Sequence, residues 1–262
     1  MKIATWNVNS LKVRLPRVEE WLADVAPDVV CLQETKLAQE AFPALAFQAL
    51  GYDSVHHGEG RWNGVAILSR VGLEDPVDGF DDGDDPDPEA RLVWATCGGV
   101  RVASAYVPNG RELEADHYRY KLAWLARLRR RLDAHAADEP IVVAGDFNIA
   151  PTDADVWNPK AFVGATHTSE PERAALGELE AWGLADVFRQ QRPEPGLFSW
   201  WDYRGGNFHK RMGMRIDLVL ASAPVAERVT FATIDRNARK GQQPSDHAPV
   251  VVDLAAPAGG DS

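Results

Sequence analysis

The run Ile141-Val142-Val143-Ala144-Gly145, followed at once by Asp146-Phe147-Asn148, is apolar at every position and then abruptly polar. A strand without alternation is buried on both faces, so apolar structure must cover each side of it. Seven further stretches read as strands: Lys2–Val8, Val29–Gln33, Gly64–Ser69, Leu92–Cys97, Arg101–Val107, Ile216–Ala221 and Pro249–Leu254. Helical spacing is clearest in Arg14–Val25 and in Ala115–Ala136, where Leu122, Leu125, Leu128 and Leu132 recur. Glu170–Trp182 reads as a third helix, with Pro171 in its first turn. Strands interleaved with helices, without a Pro/Gly/Ser-rich linker or a repeat, predict one α/β domain over residues 1–254 and a frayed tail over 255–262.

The bulk properties exclude several classes. With 262 residues, 45% hydrophobic and 26% charged, the chain is neither disordered nor collagen-like. It has no apolar run long enough for a membrane span, and it opens directly on a strand pattern, so no membrane association and no export signal are expected. Cys31 and Cys97 lie in apolar stretches and read as buried free thiols, which fits a reducing, cytoplasmic location, at the nucleoid if the source is bacterial. The net charge of −11 argues against coating nucleic acid by bulk attraction. Residues 74–89 account for much of it, with nine acidic side chains and no basic one, and read as an exposed loop whose charges repel. The rest of the chain is near balance, which permits a local basic rim around Arg204, Lys210, Arg211 and Arg215, and around Arg236, Arg239 and Lys240. The denser Arg127–Arg131 run reads instead as the solvated face of a helix.

Polar clusters end four of the apolar strands: Thr5-Trp6-Asn7-Val8-Asn9, Gln33-Glu34-Thr35-Lys36, Gly145-Asp146-Phe147-Asn148 and Ser245-Asp246-His247. A fifth, Arg215-Ile216-Asp217, opens a strand. One such cluster is usually a turn or a cap, but five at strand ends mark the edge where α/β sheets place their sites. Glu34 follows a buried strand, and a carboxylate there needs a cation, hydrogen bonds or solvent. Carboxylates and amides without thiolates favour Mg²⁺, with Mn²⁺ as a substitute, and Asn7, Glu34 and Asp246 fit the sparse shell that Mg²⁺ takes. Asp246 is poorly placed to orient its neighbour His247, because adjacent strand side chains point to opposite faces. Asp217 is the candidate partner, and such a pair raises the basicity of an imidazole.

Taken in order, Trp6-Asn7-Val8-Asn9, Leu32-Gln33-Glu34-Thr35-Lys36, Tyr106-Val107-Pro108-Asn109-Gly110, Gly145-Asp146-Phe147-Asn148, Phe198-Ser199-Trp200-Trp201-Asp202-Tyr203-Arg204, Arg215-Ile216-Asp217 and Ser245-Asp246-His247 resemble the exonuclease III family of AP endonucleases. That family lies within the endonuclease/exonuclease/phosphatase superfamily. The resemblance implies a four-layer α/β sandwich, with two mixed sheets packed face to face and helices outside. It implies hydrolysis of the phosphodiester 5′ to an abasic site in duplex DNA, together with 3′→5′ exonuclease, 3′-phosphatase and 3′-phosphodiesterase activities. By motif, Asn7 and Glu34 hold the metal environment, with Asp246 near a second position. Tyr106, Asn109, Asn148 and His247 contact the phosphate, Asp146 positions or deprotonates the attacking water, and Asp217 orients His247. Trp200, Met214 and Ile216 match the pocket for an extrahelical abasic sugar, and Arg111, Arg204 and Arg215 are candidates for DNA contact. At Met214 some relatives carry Trp, and at Asn9 some carry Asp.

The implied partner is double-stranded DNA with abasic sites or blocked 3′ ends, and the protein is expected to act as a monomer. Two other readings compete: a phosphatase or phosphodiesterase of the same superfamily acting on non-DNA phosphates, and a silent DNA-binding module. The Trp-rich segment and Gln33-Glu34-Thr35-Lys36 count against the first, and the completeness of the polar set counts against the second.

Overall fold

A computed structural model describes residues 1–136 and 138–256. The strands are β1 (Lys2–Asn7), β2 (Val29–Gln33), β3 (Asp53–His57), β4 (Val65–Ser69), β5 (Glu74–Asp78), β6 (Leu92–Cys97), β7 (Val100–Tyr106), β8 (Ile141–Asp146), β9 (Ala185–Asp186), β10 (Asp217–Ala221), β11 (Val229–Ile234) and β12 (Val250–Leu254). The helices are α1 (Leu11–Val25), α2 (Ala44–Ala49), α3 (Asp116–Leu132), α4 (Glu170–Trp182), α5 (Val187–Gln191), α6 (Asn207–Lys210) and α7 (Ala223–Ala226). The strands form two mixed sheets of six, in the orders β11-β12-β1-β2-β4-β3 and β5-β6-β7-β8-β10-β9.

Side-chain alternation along β8 shows why its sequence is unbroken. Val142 and Ala144 enter a core shared with Ile3, Cys31, Val65 and Ile67 of the other sheet. Ile141 and Val143 turn the other way, onto Trp124, Leu125, Leu128 and Leu132 of α3 and Leu176 and Leu179 of α4. The first sheet does the same, with Ala4, Val30, Leu32 and Leu68 packed on Val18, Trp21 and Leu22 of α1 and on Phe47 of α2. Each sheet therefore buries one face on its partner and the other under helices, which is the expected four-layer sandwich.

The eight expected strands are all present within a residue or two at each end. The four strands not anticipated are β3, β5, β9 and β11, which are the four sheet edges. An edge strand has less of its surface covered and is commonly charged or interrupted, so it lacks the apolar signature. Thus β3 reads Asp-Ser-Val-His-His and β5 reads Glu-Asp-Pro-Val-Asp.

The acidic segment is not a free loop of repelling charges. It begins with β5 and is tied to α3, where Arg127 donates to both carboxylate oxygens of Asp82 at 2.8 and 2.6 Å and Arg130 reaches Asp84 at 3.3 Å. The Arg127 hydrogen bonds lower the Asp82 carboxyl to about 2. The arginine run is correspondingly not a purely solvated face, for Arg131 is buried beside Trp94. On the same helix Lys121 is fully buried whereas Leu122 is only partly so. In the expected tail, residues 257–262 lie outside the described ones.

Gly145 sits opposite Ala105, and a Cβ built there would lie 1.8 Å from the Ala105 carbonyl oxygen. Backbone cannot yield as a flexible side chain does. Gly145→Ala is expected to cost about 3 kcal/mol in urea-induced unfolding; an unchanged midpoint would show that β7 and β8 separate freely.

Candidate active site

The polar strand ends meet at one edge of the sandwich, where the two sheets abut. In the first sheet β1 and β2 run parallel, so Asn7 and Glu34 emerge side by side. In the second, β7 and β8 run parallel and deliver Tyr106 and Asp146, while antiparallel β10 begins at Asp217 directly opposite Asp146. His247 arrives from the loop that leads into β12. Several of these residues take left-handed backbone at the strand exits, including Glu34 (φ 51°) and Asn148 (φ 51°), conformations a non-glycine residue rarely adopts.

Hydrogen bonds tie the set together across the seam. Asn7 Nδ2 donates to Glu34 Oε1 at 2.8 Å and to Asp146 Oδ2 at 2.9 Å. The Asn148 amide N–H donates to Asp146 Oδ1 at 2.9 Å, and Asn109 Nδ2 donates to Asn148 Oδ1 at 3.0 Å. His247 Nδ1 lies 2.8 Å from Asp217 Oδ2, and its Nε2 lies 3.8 Å from Asp146 Oδ2. Ser245, the first residue of the Ser-Asp-His cluster, donates its hydroxyl to the Asn7 carbonyl at 2.6 Å and accepts from the His247 N–H. Ser199 Oγ accepts the N–H groups of Ile216 and Asp217 and so fixes the start of β10.

Charge follows from this packing. Burial alone would depress the His247 imidazole, but the Asp217 and Asp146 carboxylates raise it to about 10, so it is cationic at neutral pH. Burial pushes Asp146 up to about 7, opposed by the His247 cation and by the Asn7 hydrogen bond. The signs for stability are therefore opposite. The His247 charge contributes fully below the ordinary imidazole value of 6.5 and loses its effect as pH rises through about 10. Ionising buried Asp146 costs stability as pH rises from 3.8 through about 7. Glu34 is held below its ordinary value: burial opposes ionisation, but Lys36, 2.8 Å away, and Asn7 outweigh it. Tyr106 is kept protonated by burial and by the neighbouring Glu34 carboxylate.

Among the described residues, Glu34, Asp146 and His247 form the group whose ligand atoms all lie within 4.8 Å of one another. His247 Nδ1 is engaged by Asp217, and the Glu34 and Asp146 carboxylates supply hard oxygen donors of the kind Mg²⁺ and Mn²⁺ take. Asp246 stands one step outside. Its oxygens are taken by Asn9 Nδ2 at 3.0 Å and Trp200 Nε1 at 3.1 Å, and Asn9 in turn accepts from Lys36 at 2.6 Å.

The expected apolar residues do come together. Met214 and Ile216 are buried with Ala150 and Val156, and Trp200 and Phe162 pack on them. Trp200 bridges to both Met214 and His247, while its neighbour Trp201 is in the core. Arg111, whose N–H donates to Asn109 Oδ1, and Arg204, paired with Asp202, are both exposed. Arg215 requires a correction: it is fully buried, 2.6 Å from Asp155 and 2.8 Å from Asp186, and does not face DNA. Charge clustered near the motif points to the rim, but the side chain instead anchors, through Asp155 and Asp186, the segment that carries Ile216 and Asp217. Also unforeseen were His167, buried 3.5 Å from Asn109, and the buried Lys121–Glu172 pair. A lysine at the buried position of an amphipathic helix was the available signal for that pair.

In the metal-free protein the His247 imidazole resonances are expected to show the charged form through neutral pH, and Asp217→Asn to return their titration toward 6.5; a parent imidazole titrating near 6.5 would contradict the pairing. Arg215→Ala is expected to lose about 3–5 kcal/mol of stability in chemical denaturation. Weakened DNA binding at unchanged stability would instead return Arg215 to the DNA surface.

Residues 4–247 match the endonuclease/exonuclease/phosphatase family. The chain is 35% identical to exodeoxyribonuclease III of Haemophilus influenzae, over 95% of this chain and 98% of that one. Among solved structures it is similar to the 3′ phosphatase NExo (D146N) from Neisseria bound to a product DNA hairpin, at 42% identity and a TM-score of 0.95, covering 98% of this chain and all of the other. It is also similar to an AP endonuclease from Archaeoglobus fulgidus, at 37% identity, a TM-score of 0.94 and the same coverage. With its fold, its polar edge and nearly its whole length in common with these proteins, the chain belongs to the endonuclease/exonuclease/phosphatase family, in its exonuclease III branch.

Proposed function

We propose that the protein is a divalent-metal-dependent DNA-repair hydrolase that cuts the phosphodiester 5′ to abasic sites and clears 3′ ends as a phosphatase, phosphodiesterase and 3′→5′ exonuclease. The observation that carries this reading is the seam itself: a cationic imidazole, a carboxyl pushed up to about 7, a second carboxylate and two amides converge beside an apolar cluster. Relatives named as a 3′ phosphatase and as an AP endonuclease support the substrate class. Residues 1–254 act as one domain and as a monomer in this reading, and a cytoplasmic, nucleoid-associated place goes with it. No helix among the described residues is long and apolar enough to cross a membrane.

Glu34 and Asp146, with Asn7 beside them, would hold the metal, for which Mg²⁺ is the natural ion and Mn²⁺ a substitute; Asp246 bonds to Asn9 beside them. A cation bound there would supply positive charge at the scissile phosphate. The work of the chain is positioning and electrostatics, as phosphate-ester hydrolysis requires. Asp146, whose Oδ2 lies 3.8 Å from His247 Nε2, positions the attacking water and takes its proton. His247, held by Asp217, faces the phosphate as a fixed positive charge. The amides of Asn109 and Asn148 and the protonated Tyr106 hydroxyl donate to phosphate oxygens. Trp200, Met214 and Ile216 line the place of a base-free sugar, which an intact nucleotide fills less easily. Arg111 and Arg204 lie on the DNA-facing rim.

Matched duplexes carrying one tetrahydrofuran abasic analogue or one 3′-phosphate nick are expected to be processed with Mg²⁺ and to be inert in EDTA. The identity of 42% to the 3′ phosphatase against 37% to the AP endonuclease makes the 3′-phosphate the first substrate to examine. Asp146→Asn is expected to lower kcat by about two to four orders of magnitude. Turnover of an inositol phosphate with no turnover of either duplex would replace this reading, and lesion binding without scission under any divalent metal would leave a binding module.

A further inference from the structure

Asn109 and Asn148 sit on two different loops, one after β7 and one after β8, yet their side chains must be held in one hydrogen-bonded arrangement to meet a single phosphate. The loops meet directly through the Asn109–Asn148 bond and through Asn148 Nδ2, which donates to the Val107 carbonyl at 3.0 Å, and they are joined from beneath by Lys121. It projects from α3, is fully buried, and donates to the Asn148 carbonyl at 2.7 Å, with the Asn109 carbonyl 3.5 Å away. Its third partner is Glu172 at the start of α4, also fully buried. The same Glu172 oxygen accepts the His167 N–H at 3.0 Å and lies 2.7 Å from the Thr166 hydroxyl, which is 3.0 Å from the Asn109 carbonyl. The other Glu172 oxygen takes the Ser169 N–H and hydroxyl, closing the capping box of α4.

A fully buried ammonium on a mainly apolar helix stripe is a poor choice for stability alone, since a leucine there would pack without a desolvation penalty. What an ammonium offers and a leucine lacks is three N–H donors radiating from one point. Two of them here are turned toward backbone carbonyls of the two asparagines. Gly110 shows how closely the first loop rests on the lysine stem, for a Cβ there would lie 3.2 Å from Lys121 Cδ and 2.7 Å from Thr166 Oγ1.

We propose that Lys121, seated on Glu172, is a positioning residue that clamps the Asn109 and Asn148 loops together and so sets the amide pair that receives the phosphate. This rests on the phosphate-contact reading above. Displacement of an aligned group by about 1 Å costs about a hundredfold in rate, so the clamp acts on kcat more than on KM.

The test uses Lys121→Met, which keeps the stem and removes the donors, and the double variant Lys121→Met/Glu172→Gln, which also removes the carboxylate charge left behind. Melting temperature, kcat and KM on the 3′-phosphate and abasic duplexes, and the side-chain amide spectrum of ¹⁵N-asparagine-labelled protein are compared. The double variant is expected to recover much of the melting temperature lost in the single one, while kcat stays at least tenfold below the parent, KM changes less than kcat, and the Asn109 and Asn148 amides stay shifted. Recovery of kcat in step with melting temperature, or unchanged asparagine amides in both variants, would overturn the clamp. The amide spectrum needs no turnover, so a parent protein inactive on both duplexes overturns the proposed activity and leaves the clamp to be decided separately.

Discussion

The side-chain amide of Asn7 is the point at which the two sheets are tied at their polar edge. Its two N–H groups go to Glu34 on its own sheet and to Asp146 on the other. Two carboxylates this close and this buried repel, and an amide that donates to both is a neutral way to hold them apart at a fixed distance. Around this bond the remaining charges fall into place: Lys36 against Glu34, His247 between Asp146 and Asp217, and Ser245 on the Asn7 carbonyl. Behind it the sheets are packed with apolar side chains on both faces, and a buried Thr5–Gln33–Ser104 hydrogen-bond chain crosses between them.

The same principle of paired burial recurs one layer out. Lys121–Glu172 lies under the asparagine loops, and Arg215 with Asp155 and Asp186 lies under the segment that starts β10. Each pair is fully or nearly fully buried, where an ion pair contributes little net stability but its loss is costly. Their value is geometric, since each links segments distant in sequence that end at the site. The protein's acidic surplus is kept from interfering by a different device: residues 74–89 place part of their charge on the arginines of α3.

Legibility in the sequence followed coverage. Strands inside the sheets declared themselves because both faces are apolar, and edge strands did not. Asn7, Glu34 and Asp146 were legible because each stands where an apolar strand ends, and Asp217 and His247 because each stands at or just before the start of one, expensive places for a polar group without a task. Arg215 was misread because a guanidinium beside a polar motif gives the same pattern whether it faces solvent or a buried carboxylate. Its partners, Asp155 and Asp186, are 60 and 29 positions away, and nothing local marks them.

What the sequence by itself determined was the class of fold, the positions of the inner strands along the chain and the polar residues at their ends, since unbroken apolar runs and polar interruptions are local properties. What only the tertiary structure decided was which of those residues touch. The pKa shifts of His247 and Asp146, the bonds of Asp246 to Asn9 and Trp200, and the burial of Lys121 and Arg215 against carboxylates all depend on distances between charges brought together from far apart in the chain. Electrostatic energy in a low-dielectric interior is set by separation in space, and sequence distance carries no information about it.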